Sequence, residues 1–123
     1  MILVDTSVWI DHLRAGDQKL SDLLNSSEIL CHPFVTAELS LGNLPRRVEI
    51  LGALGHLPQA ITASHVELTA FINAHRMWGQ GISLVDAHLL AATALTSDAK
   101  LWTRDRHLEA VAAAMGLAAA QKN

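Results

Sequence analysis

The strongest constraint on this chain is a recurring switch from short apolar runs to segments of helical period. Residues 1–4 (MILV), 29–31 (ILC) and 100–102 (KLW) are brief and apolar, and each is soon followed by a helix-start signal. A strand that is apolar on both faces belongs to a parallel sheet covered on both sides by helices. The intervening segments supply those helices. Asp5-Thr6-Ser7 caps a helix running to about Leu13 and stopping near Gly16. Asp17 starts another, with Leu20, Leu23 and Leu24 on one face. Pro33 closes the second strand, and residues 35–41 form a short helix ending at Gly42. Pro45 opens the next helix at its first position, with Val48, Leu51 and Leu54 along one side. Ser64 and Glu67 have capping-box spacing and begin a long helix through Trp78. Gly79 and Gly81 mark a turn, Ser83 starts a helix to about Thr96, and residues 105–115 form the last helix before Gly116. Residues 60–62 and 117–119 are weaker strand candidates. The expected architecture is a single three-layer α/β/α domain over residues 1–123, with a central parallel sheet of four to five short strands.

In an open parallel sheet, ligands bind beyond the carboxyl ends of the strands. Asp5 directly follows the first strand, and Asp105 follows the strand at 100–102 after a Thr103-Arg104 step. Glu38 and Asp86 lie in the first turns of expected helices. If those helices start at the same sheet edge, four carboxylates converge. Like charges a few ångströms apart raise one another's pKa, and a hard divalent cation removes that conflict. Magnesium favours oxygen ligands and keeps several waters, one of which can attack a phosphodiester. The hydroxyls of Thr6, Ser7 and Thr103 stand where they can orient the acids. Each acid also has a plainer role. Asp5 and Asp105 can cap helices, Asp86 can complete a capping box with Ser83, and Glu38 can be a solvated acid favoured by a helix dipole. Caps alone do not explain an acid at every point of the expected ligand edge.

Charge does not settle the matter. The formal charge of -3 argues against nucleic-acid binding, yet two divalent cations held by the four acids would bring it to +1. Half the residues are apolar, only 17% are charged, and the mean hydropathy is +0.26. Such a composition needs a large core or a partner covering apolar surface. The single cysteine, Cys31, forms no internal disulfide and reads as a small buried residue, consistent with a reducing compartment. The opening residues lack a basic region ahead of the apolar run, and no stretch reaches membrane-span length, so the expectation is a cytoplasmic protein with no membrane association.

Four segments together resemble the PIN-domain family, in particular its VapC-type toxins of bacterial toxin–antitoxin pairs: ILVDTSVWIDHLR, HPFVTAELSLG, GISLVDAHLLAA and LWTRDRHL. They occur in the family's order and spacing and span almost the whole chain. The resemblance implies an endoribonuclease that hydrolyses RNA through a metal-activated water, leaving a 5′-phosphate and a 3′-hydroxyl. It places the family's acid quartet on Asp5, Glu38, Asp86 and Asp105, with Mg2+ or Mn2+ as the ion. The family's hydroxyl before the fourth acid falls on Thr103, while the further acid or Asn of some relatives is replaced here by His107. A homodimer and a small antitoxin protein that inserts a segment into the active-site groove are also implied.

Arg104 and Arg106 flank Asp105 and are the candidates for contact with RNA phosphates, ahead of Arg46 and Arg47. The seven histidines show no zinc spacing, and His88 diverges from Asp86 on a helix. Asp11 and Asp98 read as surface or turn acids, Trp9 and Trp102 as core. No aromatic platform for stacking bases is evident. Two other readings compete. A phospho-acceptor receiver domain needs paired acids after the first strand and a Lys after a late one, whereas Asp5 is followed by Thr6 and Ser7, and Lys100 stands at the start of its strand, not after it. A binding module on the same fold would hold RNA or protein without cutting, and an intact acid quartet argues against it.

Overall fold

The computed structural model describes residues 1–120. Among these residues, three parallel strands form the sheet: β1 (Ile2–Val4), β2 (Ile29–Leu30) and β3 (Lys100–Trp102), in the order β2-β1-β3. Leu3 sits opposite both Leu30 and Leu101, which fixes the register across the sheet. Leu3 and Val4 point to opposite faces and are both fully buried, so both faces of the central strand are covered. Each such side chain contributes about 1.5–3 kcal/mol through burial.

Among the described residues, seven helices pack around the sheet: α1 (Thr6–Ala15), α2 (Gln18–Asn25), α3 (Pro33–Ser40), α4 (Arg47–His56), α5 (His65–Ala74), α6 (Leu84–Leu95) and α7 (Arg106–Ala114). Helix α6 is the most enclosed, with residues 87–93 buried all round. It is an apolar helix because it packs among other elements rather than against water. No helix among the described residues is long and apolar enough to cross a membrane.

The sheet has fewer strands than expected. Residues 59 and 118 make only isolated parallel bridges, Cys31 to Gln59 and Leu101 to Ala118. Each rests on two backbone hydrogen bonds. The Cys31 amide donates to Pro58 and the Ala60 amide to Cys31, while Leu101 donates to Leu117 and Ala119 to Leu101. These contacts extend both edges without building a ladder.

Three helix boundaries also differ. Helix α3 begins at Pro33, because the His32 ring caps it: Nδ1 accepts from the Phe34 amide at 3.0 Å. Proline then occupies the first helical position, where its missing N–H costs nothing. Pro45 does not open α4. Arg46 precedes that helix in a left-handed conformation (φ 48°), and the inward residues are Ile50, Leu51 and Leu54, with Val48 in solvent. Helix α5 has the expected Ser64–Glu67 capping box but ends at Ala74, where His75 and a left-handed Arg76 (φ 50°) turn the chain.

His32 is fully buried, and its Nε2 has no hydrogen-bond partner among the described residues. Burial lowers its pKa from 6.5 to about 4, and nearby His88 adds to the shift. Because Nδ1 accepts a hydrogen bond, the single proton belongs on Nε2, and a second proton would break the cap. Protonation therefore favours the unfolded chain. Stability from this residue is complete above about pH 6.5 and is lost as the pH falls towards 4, a change on the order of 3 kcal/mol. His32→Asn keeps a capping oxygen and removes the titration. Its urea midpoint is expected to fall less steeply than that of the natural chain between pH 6.5 and 4.5.

Candidate active site

Asp5 ends β1 at the centre of the sheet and caps α1. It is the only buried acid among the described residues, at 6% exposure. Its Oδ1 accepts from the Thr6 amide at 2.8 Å. Its Oδ2 accepts from the Ser7 hydroxyl at 2.9 Å and the Thr103 hydroxyl at 2.7 Å. Thr103 is itself buried, and its oxygen accepts from the Asp105 amide at 3.1 Å. One threonine thus ties the end of β3 to the end of β1. Ser7 adds a second tie by accepting from the Arg104 amide at 3.1 Å.

Thr6 carries the network the other way, donating from its hydroxyl to Glu38 at 2.7 Å. Since α3 starts at Pro33, Glu38 lies in its second turn, not its first. The helix dipole offers no stabilisation to an acid there. Asp86 is the third residue of α6 and completes a capping box: the Ser83 amide donates to Asp86 Oδ2, and the Asp86 amide to Ser83 Oγ, both at 3.1 Å. Asp105 caps α7, with Oδ1 accepting from the Leu108 amide at 3.0 Å. Burial raises the Asp86 pKa; the Ser83 hydrogen bonds oppose the rise, and the charges of Asp5 and Asp105 add to it. Hydrogen bonds thus link three of the acids, Glu38 to Asp5 through Thr6 and Asp105 to Asp5 through Thr103, while Asp86 lies near enough for the charges of Asp5 and Asp105 to act on it.

Among the described residues, none of the four acids has a basic partner; the ion pairs there are Arg46–Glu49, Arg104–Asp11 and Arg104–Asp17. Every hydrogen bond to the four comes from an amide or a hydroxyl. Glu38 Oε2, Asp86 Oδ1 and Asp105 Oδ2 accept no hydrogen bond among these residues. A hard divalent cation fits this donor set: oxygen ligands, net negative charge and no competing cation. No group of three His, Cys, Asp or Glu side chains among the described residues is already drawn in to metal-binding distance. Magnesium does not require that, since it is commonly held by one or two carboxylates together with waters and substrate phosphate.

The arginines beside Asp105 differ from each other. Asp11 and Asp17 both grip the Arg104 guanidinium, which also lies over the Trp102 ring at 5.7 Å. Asp11 is thus a partner of Arg104 rather than a simple surface acid, and a phosphate at Arg104 must compete with two carboxylates. Arg106 is exposed and forms no ion pair among the described residues.

Beside Glu38 a cleft of about 490 Å3 opens between α1 and the segment after α3. Ile10, Leu13 and Arg14 form one wall, Glu38, Leu44 and Pro45 the other. Such a cleft emerges only from tertiary packing, and sequence reasoning did not find it. Trp78 was also missed: it lies in the turn before α6 and not on α5, and it is exposed.

A family model described as the PIN domain matches residues 2–114. The chain belongs to the PIN-domain family. It is 47% identical over 122 residues to a Mycobacterium tuberculosis protein named Ribonuclease VapC32, recorded in two strains, covering 99% of this chain and 98% of that protein. The fold is also similar to that in the crystal structure of FitAcB from Neisseria gonorrhoeae, with a TM-score of 0.61, 19% identity, and coverage of 92% of this chain and 94% of that one. The acid-bearing segments 2–14, 32–42, 81–92 and 101–108 all lie within the matched PIN region.

Two outcomes follow from the charge balance. Asp86→Asn retains the capping oxygen and removes a charge that costs stability once ionised. In chelator at neutral pH, it is expected to unfold at the same urea concentration as the natural chain or a higher one. With saturating Mn2+, the natural chain should gain about 2.7 kcal/mol at a hundred times Kd, and the variant much less. Thr103→Val removes a hydrogen bond to a buried carboxylate and should cost about 1.5–3 kcal/mol in a urea titration.

Proposed function

We propose that this chain is a metal-dependent endoribonuclease, the toxin of a VapBC-type toxin–antitoxin pair, formed by one PIN domain over residues 1–123. The observation that carries this reading is the set of four carboxylates at the sheet edge, held by neutral donors and paired with no base among the described residues. Asp5, Glu38, Asp86 and Asp105 are the residues that would hold Mg2+ or Mn2+. When bound, such an ion neutralises the acids, offsets charge on the phosphate and acidifies a water ligand.

The remaining steps belong to the protein. Thr103 and Ser7 keep Asp5 in one orientation, and Thr6 keeps Glu38 in one, so that the acids do not reorganise as charge develops on the phosphate. Arg106 stands at the first position of α7, where it can meet a phosphate of the RNA strand, and Arg104 can do so at the cost of its grip on Asp11 and Asp17. One of the four acids, or hydroxide supplied by the ion, would take the proton of the attacking water. The cleft beside Glu38 is mixed, with Ile10, Leu13, Leu44 and Pro45 beside Arg14, Glu38 and Asn43, which suits an inserted segment of a small antitoxin. A homodimer accounts for part of the exposed apolar surface, such as Val48 and Val66.

The test is cleavage of total cellular RNA by purified, antitoxin-free protein in magnesium, in manganese and in chelator, beside Asp86→Asn. Discrete fragments bearing 5′-phosphates are expected with either metal, with none in chelator and activity reduced at least 100-fold in the variant. Intact RNA in every lane, from folded protein that binds metal, would leave the non-cleaving RNA- or protein-binding module as the reading.

A further inference from the structure

Arg104 stands between Thr103 and Asp105, and both of its ends are held. Its amide donates to the Ser7 hydroxyl oxygen at 3.1 Å. Its guanidinium donates from one nitrogen to Asp11 and from the other to Asp17. Ser7 and Asp11 are four residues apart on α1, so they share one face of that helix. Arg104 therefore runs along α1, from its first turn to the start of α2. The Ser7 hydroxyl that receives its amide also donates to Asp5 Oδ2.

Asp17 is a fixed partner. Its Oδ1 caps α2 by accepting from the Leu20 amide at 2.9 Å, which leaves Oδ2 for Arg104. Its amide donates to His12 Nδ1 at 3.0 Å and so ties the start of α2 back to α1. The guanidinium also stands 5.7 Å from the centre of the Trp102 ring, which is buried in β3. A planar fork can reach two carboxylates at once, whereas an ammonium is a point charge without that geometry. The Arg104 side chain is 36% exposed and that of Asp11 50%, and ion pairs so open to water add little to folding. What the clamp fixes is the turn from Thr103 to Asp105. The Thr103 hydroxyl donates to Asp5, and its oxygen accepts from the Asp105 amide, so a shift of this turn displaces Asp105 relative to Asp5.

We propose that Arg104 is a positioning residue: gripped by Asp11 and Asp17, it holds the Thr103–Asp105 turn where Asp5 and Asp105 can serve one divalent cation. This rests on the metal-dependent reading of the four acids, and it leaves Arg106 as the arginine that meets phosphate. The sign of the effect separates positioning from charge. Removing a positive charge next to Asp105 should, by charge alone, tighten the binding of a cation. Removing a positioning residue weakens it.

The test is Mn2+ binding by titration calorimetry, without RNA, for the natural chain, Arg104→Met and Arg104→Lys, each with its urea midpoint. Arg104→Met keeps the amide and an unbranched stem but loses the charge and the fork. Arg104→Lys keeps the charge and loses only the fork. Both are expected to unfold close to the natural midpoint. Arg104→Met is expected to bind Mn2+ about 10-fold more weakly, and Arg104→Lys more weakly by a smaller factor. If Arg104→Met does not fold, Arg104→Lys alone decides. Mn2+ binding as tight as that of the natural chain, or tighter, in a folded variant overturns the proposal; if RNA binding falls in the same variant, Arg104 is a phosphate contact instead. Parallel cleavage of total RNA by the natural chain keeps the two readings apart. Weakened Mn2+ binding in the variants, with RNA never cut by the natural chain, supports the positioning role and contradicts the ribonuclease. RNA cut by the natural chain, with Mn2+ binding undiminished in the variants, overturns the positioning role and leaves the ribonuclease.

Discussion

A buried carboxylate with no cation beside it organises this molecule. Asp5 stands at the end of the central strand, and only neutral donors from Thr6, Ser7 and Thr103 meet it among the described residues. Burying a charge is costly unless hydrogen bonds or an opposite charge compensate. Three hydrogen bonds and the start of α1 supply part of that compensation. The neighbouring acids make the imbalance larger: burial raises the Asp86 carboxyl most, and the charges of Asp5 and Asp105 raise it further. Among the described residues, that negative charge has no cation to balance it.

In the proposed ribonuclease, capping and metal binding would be two uses of the same atoms. Asp5, Asp86 and Asp105 each lie at a helix start, where backbone amides and the helix dipole favour negative charge. Each cap occupies part of a carboxylate. Asp86 and Asp105 keep one oxygen outside the cap, and Asp5 Oδ1 has a second lone pair. Three helix N-termini thereby hold the acids in place without supplying a side-chain cation that a metal would have to displace. Glu38 is the exception, because it lies in the second turn of α3 and depends on the Thr6 hydroxyl for its position.

Local signals carried much of the fold. β1, the Asp5 and Asp17 caps, the Ser64–Glu67 and Ser83–Asp86 boxes and the start of α7 at Asp105 all follow from residues within one turn of one another. The misjudged places depended on tertiary context. A histidine cap at His32 moved the start of α3 and took Glu38 out of the first turn. Two strand candidates shrank to bridges because each meets the sheet at a single residue. The early end of α5 put Trp78 on a turn, which hydrophobic periodicity had continued as helix. The clamp on Arg104 joins residues 87 and 93 positions apart. Asp5, Asp86 and Asp105 were legible as caps because strand ends and helix starts are marked locally; the place of Glu38 and the ties through Thr6 and Thr103 needed the folded chain.

The most direct measurement is anomalous diffraction from crystals of the chain soaked in manganese, with crystals of Asp86→Asn treated alike. A strong peak bonded to Asp5 and at least one of Glu38, Asp86 and Asp105, and weakened in the variant, is the result this account predicts. Manganese bound only elsewhere, with the four carboxylates left bare in well-ordered density, would contradict it.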